Sequence, residues 1–448
     1  MKQLTLISGA LLTCNLLLSQ TNPAITSWLQ NTVETGSYYV QGNSTALDNG
    51  ILYNCQLVEY STDFVYVHTY GIPAYPTGPF LDGNPSQAQN QNAIFQIPLN
   101  PIENTGAPIE TNPGNIGVFI NGVALFDWRD GVAWDPSSSS LCGGPGNPPC
   151  PGGPTAQMDW NRDAVPAEMD GFDCSKAHPA MGNYHHHQNP SAFKLDLNIV
   201  STICNLYDAD GLYAIDSTQH SPLIGFAYDG FPIYGAYGYQ NADGTGGVTR
   251  MKSGYQLSGA STRTNGPNVN ATYFDGYFRE DYVFVANPNQ DYLDEHNGRF
   301  CVTPEYPNGI YAYFATVDEN WNSAYPYAVG PTFYGVASDR KVTSVGEATI
   351  VYNPNTSSLT DSEFIENFSI TVFPNPSSDL IAVQINGLVK DPLLIELLDV
   401  SGRIVQSKKI PSGSTIAYFD TQTLYAGNYV VRVTSISQKQ EYGIVISK

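Results

Sequence analysis

Residues 369–448 carry the cleanest alternation of apolar and polar positions in the chain. Segments 370–373, 380–385, 393–399, 403–409, 415–419, 429–433 and 441–446 each follow a period of two, the period of a strand with one face buried. Turn-forming residues separate them: the run 374–379 (Pro-Asn-Pro-Ser-Ser-Asp), then Asn386-Gly387, Ser401-Gly402 and Pro411-Ser412-Gly413. Seven short strands at this spacing predict a small Ig-like β-sandwich. Upstream, 21–352 is less regular. Strand-like stretches occur at 64–70, 117–126, 193–200, 224–239, 282–286, 310–317 and 348–352, punctuated by Gly, Pro and Asn. Helical periodicity is confined to a turn or two at 164–169 and 27–34, and no internal repeat is present. The pattern predicts an all-β protein: a large β-rich central domain tied by disulfides, then the small sandwich.

The first twenty residues fit neither unit. One Lys, an apolar run and a small-polar end at 1–20 read as a secretory signal peptide, with cleavage after Ser19. Cys14 raises a lipoprotein alternative, which Thr13 and the apolar residues beyond it fit poorly. After Gln20 no run approaches the ~18 apolar residues of a membrane span. The polar stretch 353–368 reads as a linker.

Charge sharpens the division. Residues 369–448 hold seven basic and six acidic residues and no Cys, His or Trp, leaving 12 basic against 35 acidic upstream. The net charge of −22 disfavours a nucleic-acid or anionic-membrane partner. No phosphate loop, dinucleotide fingerprint or GxSxG elbow occurs.

Apart from Cys14, six cysteines remain: Cys55, Cys142, Cys150, Cys174, Cys204 and Cys301. In an oxidising compartment they predict up to three disulfides. Cys142 and Cys150 flank the turn-rich Gly-Gly-Pro-Gly-Asn-Pro-Pro and are the leading pair.

The candidate chemistry centres on Asn183-Tyr184-His185-His186-His187. In an extended segment His185 and His187 share one face and His186 takes the other, so the first two can chelate one divalent metal. Further ligands must come from elsewhere, with His220, His296, Asp229 and the Asp294-Glu295 pair as candidates. The bland reading of Asp229-Gly230-Phe231-Pro232 is a rigid turn in a Tyr-rich core. Asp208-Ala209-Asp210-Gly211 holds half a calcium loop but lacks its later oxygen ligands, so calcium is the lesser expectation after copper or zinc. His68 and His178 carry no partner signal.

Two resemblances add to this reading. Val372-Phe373-Pro374-Asn375-Pro376 with Asp379, Asp399-Val400-Ser401-Gly402-Arg403, Leu424 with Ala426-Gly427-Asn428-Tyr429, and Ile446-Ser447-Lys448 resemble the type A C-terminal sorting domain of type IX secretion. That resemblance implies the type IX machinery as partner, export through the outer membrane of a Gram-negative bacterium, and frequent removal of the domain. Tyr184-His185-His186-His187, the runs 221–227 and 229–235, Leu293-Asp294-Glu295 with Asn297-Gly298-Arg299, 311–314 and 325–327 resemble a YHYH domain over 184–335, with His186 where the motif has Tyr. This second resemblance implies a family without a characterised activity.

The leading expectation is a secreted or surface protein that binds copper or zinc. One alternative is a metal-independent module that binds cell-surface glycans through its aromatic residues. Another is a hydrolase using paired carboxylates such as Asp229 and Glu295.

Overall fold

The computed structural model describes residues 22–80, 87–144, 146–153, 158–191, 211–354, 369–386, 393–400, 402–410, 416–434 and 439–448. The expected signal peptide, the 193–200 strand, Cys204, Asp208, Asp210 and most of the linker lie outside them. The chain divides into two compact units between Asn353 and Pro354. Almost all regular structure is strand, as the alternation predicts.

The first unit rests on two sheets. One has five strands in the order Lys341–Val342, Ala93–Pro98, Phe64–Thr69, Cys55–Tyr60, Ile350–Val351. The other has eight: Ala177–Ala180, Asn183–His186, Ala124–Phe126, Asn115–Phe119, Leu223–Ala227, Pro232–Tyr234, Ile310–Phe314 and Gly298–Cys301. Val65, Val67, Phe95 and Ile97 of the first sheet join Val118, Phe119, Phe226, Ile233 and Tyr313 of the second in one apolar cluster. A smaller sheet of Ser140–Gly143, Arg129–Asp135 and Asn161–Asp163 carries the Cys142–Cys150 disulfide.

The cysteines depart from expectation. Cys174 is also disulfide-bonded, but Cys55 and Cys301 carry free, buried thiols. Cys55 Sγ lies in the core, 3.5 Å from the Ile120 carbonyl, and burial raises both thiols above the ordinary range. These two behave as small apolar core residues.

Two long expected strands are broken. The 117–126 run splits at Asn121-Gly122, where Gly122 has φ +77° and a Cβ would stand 2.2 Å from Thr69 Oγ1. The 224–239 run splits into three strands around Gly230, at φ +92°. The helical turn Ala164–Glu168 forms as expected. The one expected over 27–34 forms instead at Pro23–Thr26, because Asn22 caps Ala24 N–H at 2.9 Å and Pro23 occupies the first helical position.

Among its described residues the second unit contains seven strands in sheets of three and four. The first comprises Ser369–Phe373, Leu380–Asn386 and Ile416–Asp420; the second Ile404–Ile410, Leu393–Asp399, Gly427–Thr434 and Lys439–Ile446. Ile381, Val383, Ile395, Leu397, Val431 and Val433 form its core.

Candidate metal centre

The strands Ala177–Ala180 and Asn183–His186 form an antiparallel hairpin at the edge of the eight-stranded sheet. Met181 and Gly182 make its two-residue turn, with φ of +49° and +85°, the geometry that matches strand twist in tight hairpins. The register places His178 opposite His185. A parallel pairing of His185 with Ala124 and His186 with Leu125 fixes the hairpin to the sheet. Side chains alternate along the extended chain, so His178, His185 and His187 share a face.

These three side chains are buried, and one ring nitrogen from each lies within 4.8 Å of the others. His185 Nε2 stands 3.1 Å from His187 Nε2. The opposite nitrogens are committed: His185 Nδ1 donates to the Asn183 carbonyl at 2.8 Å, and His187 Nδ1 to the Asp127 carbonyl at 2.5 Å. Because a carbonyl only accepts, each Nδ1 carries the proton and each Nε2 presents a bare lone pair. Burial lowers both imidazole pKa values, that of His185 well below the ordinary range, with the neighbouring histidines adding to its shift. Protonation is therefore disfavoured where the two lone pairs confront each other. Phe126 stacks on His185 at 3.7 Å and 19°, holding the ring in place.

Glu168 ends the helical turn Ala164–Glu168, which Asp163 caps through Val165 N–H at 3.0 Å and Trp128 O anchors through Ala164 N–H at 2.8 Å. Its Oε2 lies 3.2 Å from His178 Nε2 and 3.4 Å from His187 Nε2. Burial acts to raise this carboxyl, but His178, His187 and Arg162 outweigh it and hold it below the ordinary range. Arg162 pairs with Asp130 at 2.5 Å beside the turn. Of the Glu168 side chain 23% is exposed, against 7% for His178 and 3% for His187, so this residue marks the solvent side.

The other face of the hairpin serves packing. Tyr184 O–H donates to Asp173 Oδ2 and His186 Nε2 meets Tyr75 O–H, both at 2.8 Å. Burial drives the His186 pKa down to about 3. Alternation thus divides Tyr184-His185-His186-His187 into a pair that packs and a pair, His185 and His187, whose Nε2 atoms face each other.

This hairpin lies within residues 94–326, which match the family model described as YHYH protein. The chain belongs to the YHYH protein family. Its second unit matches the secretion system C-terminal sorting domain over residues 371–447. This YHYH protein is therefore a secreted or cell-surface protein that engages the type IX machinery. No helix among the described residues is long and apolar enough to cross a membrane. No curated protein matches the chain.

The structure brings none of the five further expected ligands to this centre. His220 Nδ1 donates to the Ser221 carbonyl at 2.7 Å, and its ring packs against Tyr234 and Tyr239. His296 Nδ1 meets Thr332 Oγ1 at 2.7 Å. Asp229 Oδ2 accepts from Tyr313 O–H at 2.5 Å and Gly335 N–H at 2.9 Å, which makes it the anchor of its turn. Asp294 accepts from His296 N–H, Gly298 N–H and Tyr311 O–H, while Glu295 is exposed. Tyr184, Tyr234 and Tyr313 are fully buried in the core, unavailable for stacking on sugars.

His178 was the partner missed by sequence reasoning. Its signal was present: 178 and 185 are equidistant from the Met181-Gly182 turn, so a tight hairpin pairs them.

Proposed function

We propose that this exported YHYH protein holds one divalent transition metal, copper or zinc, at His178, His185 and His187. One observation carries the reading: two buried, neutral imidazoles face each other lone pair to lone pair at 3.1 Å. Contact between two buried acceptors is repulsive, and a cation between them reverses its sign. Metal–nitrogen bonds of about 2.0–2.1 Å in a tetrahedron put donor atoms roughly 3.3 Å apart, close to the observed spacing. Backbone carbonyls fix the tautomers from behind, the outer-shell arrangement that orients ligating histidines. Imidazole donors suit both metals. The sorting domain supports delivery across the outer membrane of a Gram-negative cell.

Elemental analysis of the exported full chain, purified without chelators or an affinity His-tag, tests the metal reading. The expected result is close to one copper or zinc per chain, lost in a His185→Ala, His187→Ala variant. A wild-type chain that stays metal-free after reconstitution refutes it, as does an undiminished metal content in the variant.

A further inference from the structure

Building on that metal assignment, we infer that Glu168 is the fourth inner donor, closing the centre as a three-histidine, one-carboxylate site. Glu168 Oε2 is buried, and the groups it faces are two imidazole nitrogens, His178 Nε2 at 3.2 Å and His187 Nε2 at 3.4 Å. With one donor at most, from His178, this desolvated carboxylate oxygen is left short of what water supplied. His187 Nε2 cannot supply the missing donor, because its proton sits on Nδ1 against Asp127 O. Oxygen and nitrogen therefore meet acceptor to acceptor, as the two imidazoles do at 3.1 Å.

Three of the six edges of such a site, at 3.1, 3.2 and 3.4 Å, bracket the roughly 3.3 Å edge of a tetrahedron with metal–ligand bonds of about 2.0–2.2 Å, while the three histidine nitrogens spread as far as 4.8 Å from one another. Backbone anchoring supports the placement, since the Asp163 cap and the Ala164–Trp128 hydrogen bond fix the turn that ends in Glu168. An ion pair of Glu168 with a protonated His178 would account for one contact. It leaves the contact with His187 unexplained.

Four protein donors fill a tetrahedron, and structural sites of this metal class are closed in that way. The metal then clamps the hairpin of 177–186 to the helical turn of 164–168, and no coordination position stands open for substrate. Glu168, being the partly exposed member, is the side from which the ion enters.

The test is cobalt(II) titration of the metal-free full chain, with Glu168→Gln as the variant. Wild type should give the intense visible bands of a four-coordinate centre, unchanged by added azide. Glu168→Gln should bind cobalt at least about a hundredfold more weakly, the upper end of what losing an outer-shell partner does, and with an altered spectrum. Unchanged affinity and spectrum in Glu168→Gln, with wild type still binding, removes Glu168 while leaving the histidine site standing. An azide-induced shift in wild type removes the closed coordination, and that measurement needs no variant. Wild type that binds no cobalt removes the metal reading itself and this inference with it.

Discussion

Replacing Tyr313 with Phe tests whether Asp229 is an anchor of the core. The Tyr313 hydroxyl donates to Asp229 Oδ2 at 2.5 Å and accepts from Tyr334 N–H at 2.7 Å. Tyr313 is fully buried and Asp229 is 1% exposed, so water does not replace what the substitution removes. Losing a hydrogen bond to a charged group and stranding one N–H should together destabilise the first unit by roughly 2–5 kcal/mol. The loss should also depend on pH. Burial raises the Asp229 carboxyl from 3.8 to about 6, with the Tyr313 hydroxyl pulling it partly back. A folded-state value above the unfolded one means that the folded form binds the proton more tightly. This group's contribution is therefore fully present below pH ~4 and lost as pH rises through ~6, a change of about 3 kcal/mol at ~1.4 kcal/mol per unit. Without the Tyr313 donor the ionised form is worse held, so the deficit of Tyr313→Phe should be larger at pH 8 than at pH 5. Denaturant unfolding followed by Trp fluorescence reads the first unit alone, because residues 369–448 contain no Trp. An equal deficit at both pH values, or a larger one at pH 5, refutes the anchoring role.

Two further outcomes are expected. Opening the Cys142–Cys150 bridge by a double Ser substitution should lower the stability of the first unit by about 2–3 kcal/mol, from closure of a loop with a sequence separation of 8; an unchanged unfolding midpoint would contradict this. Deleting residues 369–448 should leave the protein in the periplasm by cell fractionation, and undiminished surface delivery of the truncated chain would overturn the sorting assignment.

Legibility from sequence followed how each strand is solvated. The second unit was readable almost residue by residue because most of its strands alternate a wet face with a buried one; Ser369–Phe373, for example, alternates exposed and buried along its length. The eight-stranded sheet was not, because Leu223–Ala227 is buried at every position and a wholly apolar run has no period to read. Gly122 and Gly230 then turned the chain inside runs that looked continuous. At the centre, the shared face of His185 and His187 followed from alternation alone. His178 needed the hairpin register as well. Glu168 comes from a separate helical turn, and no spacing rule connects it to the histidines. His220, His296 and Asp229 looked available only because their backbone and hydroxyl partners, such as Thr332 for His296, are fixed by the fold.

The five-stranded sheet has a consequence for the order in which the chain can fold. Both of its flanks are closed by the last strands of the same unit: Lys341–Val342 lies on Ala93–Pro98, and Ile350–Val351 on Cys55–Tyr60. The Thr349 hydroxyl bonds Glu59 across 290 residues of sequence. Until those late residues are made, two rows of backbone N–H and C=O groups stand open, the kind of template on which other chains add. Closure must also bridge a very long loop, which slows it. A chain built this way seals late. Made from its N-terminus, the chain can complete this sheet only when nearly all of the first unit has been synthesised.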